Sequence, residues 1–337
     1  MQNIPTQFIN YKNIKLGIFN FFTKQRKIII PFLFIFSYIL LYFLIDFSSQ
    51  SLVAHDEGLY ARRSRILEES YNWFSSPFPS PHHKTIGSYW FIALSIRLFG
   101  NSELALRLSS IIASFLCLIT SYLIGVKISN KKSALISLFS LSSMPLWIQY
   151  SRYASPDLPF VLCILLVILF FLNYLDSSKY SYFYIFFSGF FISIAFFIRS
   201  YMVFVPIIGL SPFLLWNLFR SKNIFKIIFS SGIFIGLIPT FLSLYFSYKK
   251  FGIKAITVLF DFARQKAIGE LDLTNILLVP LNYIYLTFPI GIFMVIFFVF
   301  TKSKININYP LLVYFYPLFS LIILLCMSTT YIHYYLF

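Results

Sequence analysis

The chain has 337 residues, of which 59 % are apolar and 11 % charged, against about 25 % charged in an ordinary soluble domain. With about 20 apolar residues needed per span, there is room for about nine spans, which excludes a secreted enzyme, a cytosolic domain and a disordered protein. The net charge of +16 would suggest nucleic acid in a soluble protein. Here the bases sit in short tracts between apolar runs, so anionic lipid headgroups are the expected counter-charge and no nucleic-acid partner is expected.

The three cysteines, Cys117, Cys163 and Cys326, fall inside apolar runs, which offers neither a disulfide framework nor a CxxC metal site. Residues 28–47 are too long for a signal peptide, carry Asp46 and lack a small-residue cleavage site; they read as a retained first span. Further spans are expected near 104–126, 133–150, 158–175, 182–198, 201–218, 225–247, 276–300 and 309–328, each bounded by polar, Pro or Gly residues. The fold expected is an all-α polytopic membrane protein of about nine transmembrane helices, one transmembrane domain over 1–337.

Placing the basic segment Lys24, Arg26, Lys27 inside divides the Lys and Arg residues almost evenly between the two sides. The orientation therefore rests on the inside bases being packed into very short loops, where the positive-inside rule applies best. It puts Asp176 alone inside and every other carboxylate outside, together with all four histidines. The chemistry is expected to face outward.

The first outer loop, 48–103, contains helical patterns near 57–70 and 87–99. The second pattern is too short to span, and its Trp90, Leu94 and Arg97 recur at helical spacing, so both are expected as interfacial helices. A second outer loop, 248–275, mixes Lys249, Lys250, Lys254, Arg264 and Lys266 with apolar residues and is a further candidate for an interfacial helix.

Four clusters could carry chemistry. His55-Asp56-Glu57-Gly-Leu-Tyr60-Ala61 places two carboxylates at the mouth of a membrane protein, where ions need a role or a partner. A helix start, with Asp56 as cap and Glu57 in the first turn, is the structural alternative. In Pro79-Ser-Pro-His82-His83-Lys84-Thr85, ahead of Tyr89-Trp90, Lys84 could hold a phosphate at headgroup depth or simply snorkel to ordinary lipid. His82 and His83 are adjacent rather than four apart, an unfavourable spacing for zinc. Gln149-Tyr-Ser-Arg152-Tyr-Ala-Ser-Pro-Asp157 reads as a helix start or as charges at the outer mouth beside Asp56. Arg199, alone between two apolar runs, needs an anion or a headgroup.

Taken in order, these segments resemble the ArnT-like and protein O-mannosyltransferase families of type-C glycosyltransferases over nearly the whole chain. The resemblance is carried by Asp56-Glu57 after the first span, by His82-His83-Lys84-Thr85-Ile-Gly-Ser-Tyr89-Trp90, by the Leu98 to Leu108 stretch with Glu103 and Arg107, by Arg152-Tyr-Ala-Ser-Pro-Asp157, and by Arg199 where the family usually has lysine. It departs at Thr85 and Ile86, where the family has prolines, and in arginine replacing lysine, which keeps the charge but changes hydrogen-bond geometry.

The resemblance implies transfer of a sugar from a polyprenyl-phosphate donor, as co-substrate, to a lipid, glycan or protein acceptor at the outer membrane face; the abundance of Phe, Ile, Asn and Lys suggests AT-rich coding and hence a bacterial plasma membrane. Asp56 would be the base of an inverting displacement, with Glu57 supporting it. Asp157 would orient the sugar; Lys84, Arg199 and Arg152 would hold the donor phosphate, and Tyr60, His83 and Tyr89 would contact substrate. A divalent cation is an optional cofactor, with Asp56 and Asp157 as its candidate ligands. Family members usually continue through more spans, so Thr330–Phe337 is expected to open a later one, which makes the sequence a fragment or a shortened protein. The rival readings are a transporter or lipid flippase, whose sites lie at mid-membrane on broken helices, and an inactive, truncated relative.

Overall fold

The computed structural model describes residues 56–267 and 308–327, with residues 52, 279–282, 285 and 336 besides. The expected span at 28–47 and nearly all of 276–300 lie outside these residues. Every regular element among the described residues is helical. Two surface helices, α1 (Asp56–Glu69) and α2 (Gly87–Phe99), precede α3 (Glu103–Ile128), α4 (Lys131–Ser143), α5 (Pro145–Ser151), α6 (Asp157–Asp176) and α7 (Ser181–Arg199). After a 3-10 turn at Ser200–Val203 come α8 (Phe204–Arg220), α9 (Asn223–Phe251), α10 (Lys254–Ala267) and α11 (Pro310–Cys326).

Among the described residues, Glu103–Ile128, Asp157–Asp176, Asn223–Phe251 and the continuous stretch Ser181–Arg220 are long and apolar enough to cross a membrane. Ile112, Leu116, Ile119 and Leu123 of α3 recur on one exposed face, a pattern that suits hydrocarbon and not water. The expected span at 133–150 is not one helix. Met144 is extended (ψ 128°) ahead of Pro145, because proline lacks an N–H and clashes with a helical residue before it.

Helix α7 packs between α6 and α9, α6 against α3, and α8 against α11. The α7–α9 approach is backbone to backbone: a Cβ on Gly189 would collide with the Phe229 carbonyl, and one on Gly232 with the Phe186 carbonyl. Ser193 Oγ of α7 donates to the Ile233 carbonyl of α9 at 2.8 Å, and Ser188 Oγ to the Val167 carbonyl of α6 at 3.2 Å. Small residues and crossing hydroxyls bind spans where apolar burial gives no net drive.

α2 has one buried and one exposed face. Ser88, Tyr89, Ile92, Ala93 and Ile96 are buried on one face, while Phe91, Leu94, Leu98 and Phe99 are exposed. α1 buries Glu57, Tyr60, Ala61, Ser64 and Leu67, a stripe of three-to-four-residue spacing. The two helices share a core with Phe78, Ile86, Leu106, Ala154 and Phe197, and this core is the floor of the site.

Candidate functional site

Three backbone devices bring distant ions together. Ser200 has a positive φ of 53°, which a residue with a Cβ rarely adopts, and it ends α7 directly after Arg199. The carbonyl of Ile198 then accepts from Ser88 Oγ at 2.6 Å and from Thr85 Oγ1 at 3.5 Å. At Gly87 any Cβ would collide with the Phe197 carbonyl, so only glycine lets α2 start this close to the end of α7. Lys84, three residues earlier, is thereby held beside Arg199.

The third device is Glu57. Its carboxylate is 1 % exposed and takes a two-pronged pair from Arg107, Nε to Oε1 at 2.8 Å and Nη2 to Oε2 at 3.1 Å. Oε1 also accepts the Ala154 N–H at 3.0 Å. Ser110 Oγ donates to the Ser155 carbonyl at 3.0 Å. Together Glu57 and Ser110 clamp the turn 152–156, which delivers Asp157 to the first position of α6. Glu57 thus positions Asp157 through the backbone.

Asp157 is 2 % exposed and forms an ion pair with Arg199 Nη2. Arg199 Nη1 also donates to the Tyr60 hydroxyl at 3.0 Å, and Lys84 Nζ donates to the same oxygen at 2.8 Å. Lys84 Nζ lies 4.2 Å from the centroid of the Tyr60 ring. One phenol oxygen therefore links two cations. Burial pushes the Tyr60 phenol upward, partly offset by Arg199, so it stays protonated. Burial and the Arg199 charge lower Lys84 to about 8, opposed by Asp56 and Asp157.

Asp56 opens α1 one turn before Tyr60 and is exposed. It makes no ion pair among the described residues, yet its charge acts on both Tyr60 and Lys84. The structure thus brings together Asp56, Tyr60, Lys84, Asp157 and Arg199, which sequence reading selected from four separate segments. Tyr89 stands one layer away, its ring 5.8 Å from that of Tyr60. His83 faces α10, with its ring 4.3 Å from Phe262 and 4.1 Å from His82. Arg152 is half-buried in the clamped turn, its N–H on the Gln149 carbonyl.

Two residues escaped the sequence reading as parts of the site. Arg107 was visible only as part of a family stretch, although a cation in the first turns of a span needs an anion. Arg63 bonds His82 Nε2, donates to the Tyr89 hydroxyl at 2.8 Å and lies over the Phe78 ring at 5.2 Å. It adds a third positive charge near Lys84. Burial, His83, Arg63 and Lys84 hold His82 down at about 3, so it is neutral at ordinary pH. As ligands for a divalent cation, Asp56 and Asp157 fit poorly: Asp157 is engaged by Arg199, and no three His, Cys, Asp or Glu side chains converge among the described residues.

Residues 83–246 match the family described as dolichyl-phosphate-mannose-protein mannosyltransferase. That segment holds Lys84, Asp157 and Arg199, while Asp56 and Tyr60 precede it. An uncharacterized protein of Aquifex aeolicus is 27 % identical over 157 residues, 46 % of this chain and 30 % of that protein. The undecaprenyl phosphate-alpha-4-amino-4-deoxy-L-arabinose arabinosyl transferase of Pseudomonas aeruginosa is 26 % identical over 142 residues, 41 % of this chain and 26 % of that enzyme. The crystal structure of ArnT from Cupriavidus metallidurans bound to undecaprenyl phosphate superposes with a TM-score of 0.75 at 16 % identity, covering 90 % of this chain and 57 % of ArnT. The chain therefore matches only part of each relative's length. The chain is thus similar in sequence, over part of its length, to the mannosyltransferase family and to the arabinosyl transferase, and similar in fold to ArnT.

Proposed function

We propose that the protein is an integral membrane glycosyltransferase that takes a sugar from a polyprenyl-phosphate donor and passes it to a hydroxyl of a lipid, glycan or protein acceptor at the outer face of a bacterial plasma membrane. The observation that carries this reading is the pair of half-buried to buried cations, Lys84 and Arg199, joined through the Tyr60 hydroxyl beneath the exposed carboxylate of Asp56. The likeness to a structure solved with undecaprenyl phosphate supports the choice of donor.

The chemistry follows from the charges. Asp56 takes the proton of the acceptor hydroxyl, whose oxygen attacks the anomeric carbon from the face opposite the phosphate. The bond from that carbon to the phosphate oxygen breaks with inversion, and polyprenyl phosphate departs with the electron pair as an anion. It needs positive charge and no proton, and Lys84 and Arg199 supply that charge. A full charge about 4 Å away contributes about 4 kcal/mol at an effective dielectric near 20, enough to matter for the barrier. Tyr60 and Asp157 fix where those cations stand.

The test is transfer of radiolabelled sugar from lipid phosphate onto an acceptor. Asp56→Asn is expected to insert and bind donor normally but to transfer at least about 100-fold more slowly, the scale of general-base catalysis. Full transfer by that variant would remove Asp56 as the base. Vectorial movement of lipid without covalent transfer would favour a flippase.

A further inference from the structure

Lys84 is carried by the connection 70–86 between α1 and α2, which has no regular structure. A connection of that length holds a side chain in one place only where it is tied down. Its first part is tied to α2 and α9: Trp90 Nε1 donates to the Trp73 carbonyl at 2.6 Å, and Lys250 Nζ donates to the carbonyls of Ser76 and Phe78 at 3.0 and 2.9 Å. The part next to Lys84 is tied to α1, through Arg63.

Arg63 is half-buried and makes no ion pair with a carboxylate among the described residues. A cation that served only the membrane surface would extend toward the headgroups. This one is folded inward, with its guanidinium 5.2 Å from the centroid of the Phe78 ring and 5.8 Å from that of Tyr89. Its Nη1 contacts His82 Nε2 and donates to the Tyr89 hydroxyl at 2.8 Å. The His82 ring in turn lies against the Lys84 backbone, whose nitrogen is 3.1 Å from Nδ1. Tyr60, which receives the Lys84 ammonium, stands three residues before Arg63 and hence on the same face of α1. Helix and loop therefore meet at two successive rungs, Arg63 to His82 and Tyr60 to Lys84, and a slip at the first displaces the second.

We infer that Arg63 is the positioning residue for Lys84: its planar fork fixes the His82-His83-Lys84 stretch against α1, so that the ammonium stands at the Tyr60 hydroxyl and meets the lipid phosphate there. The inference rests on the donor reading above. Arg63 acts through Lys84 and does not itself hold the phosphate. A lysine at this position would keep the charge but not the fork that serves His82 and the Tyr89 hydroxyl together. Loss of Arg63 also has an electrostatic signature. The charges that act on Lys84 are Arg199, Asp56, Asp157 and Arg63, while Tyr60 and His82 beside it are neutral. Taking away one positive neighbour lets Lys84 keep its proton to higher pH.

The experiment measures affinity of the purified full chain for a short polyprenyl phosphate without sugar, from about pH 7 to about pH 10, the range in which a lowered lysine titrates. In Arg63→Gln, affinity at neutral pH should fall on the order of tenfold, the scale of one charge-assisted hydrogen bond, and the pH at which binding is lost should lie above that of wild type. Arg63→Lys should also lose affinity, with that pH unmoved. In a chain already carrying Lys84→Ala, where Arg199 still faces the phosphate, adding Arg63→Gln should change affinity by less than about twofold; a folding defect would not be spared in this way. Full affinity in Arg63→Gln or in Arg63→Lys, equal weakening of Arg63→Gln at every pH, or the whole loss persisting beside Lys84→Ala would overturn the positioning role and leave the donor reading intact. Failure of wild type to bind polyprenyl phosphate would overturn both.

Discussion

Lys84 illustrates how a single residue is tuned by its neighbours. Burial and the positive charges of Arg199 and Arg63 lower it to about 8, while Asp56 and Asp157 pull the other way. Its charged form is therefore present below that value and lost above it. Affinity for polyprenyl phosphate should fall as pH rises past about 8, and Lys84→Arg should abolish the fall, because a guanidinium does not titrate there. A flat pH profile in wild type would remove the ammonium from the phosphate contact. His82, held near 3 by burial and three neighbouring bases, contributes nothing to that profile. At this scale the sequence was informative: Asp56, Lys84, Asp157 and Arg199 stand out because ions are costly in an apolar chain.

Between elements, the decisive unit is the link from α3 through α1 to the turn ahead of α6. Arg107 and Glu57 are 3 % and 1 % exposed, and removing either leaves a buried charge uncompensated. Breaking such a pair costs about 3–5 kcal/mol. Glu57→Ala and Arg107→Ala should each lower thermal stability in detergent by that order, with the double variant losing much less than the sum of the two losses. Additive losses in this double-mutant cycle would show that the pair does not act as one unit. Activity lost in Glu57→Gln with donor affinity largely kept would agree with a positioning role for Glu57. The adjacent Asp-Glu pair was legible as a candidate, but which of the two is buried was not. Fifty residues separate Glu57 from Arg107, and no local pattern fixes which carboxylate turns inward.

Across the whole molecule, every described residue proposed to act in transfer lies at one end of the spans: the starts of α1 and α6, the end of α7 and the loop before α2. Lys127, Asp176 and Tyr309 form a separate network, with the Tyr309 hydroxyl donating to Asp176 Oδ1 at 2.5 Å and Lys127 Nζ bonding Oδ2 at 2.5 Å. The topology expected from the basic loops puts these two ends on opposite sides of the membrane. In a chain with its native cysteines replaced, Glu69→Cys and Lys179→Cys, both exposed, should react with an impermeant thiol reagent from opposite faces. Labelling from the same face would overturn that topology.

Composition and hydropathy by themselves determined that the chain is helical and made for a membrane, because a span is a local property: about 20 apolar residues satisfy their own backbone bonds. They also exposed the isolated ions. What only the tertiary structure decided is which ions meet and which polar groups stay unpaired. The Tyr60 hydroxyl shared by Lys84 and Arg199 joins residues 24 and 139 positions apart, and the positive φ at Ser200 ends α7 directly after Arg199. Those outcomes depend on long-range packing and on desolvation, neither of which is written in any stretch of sequence short enough to read.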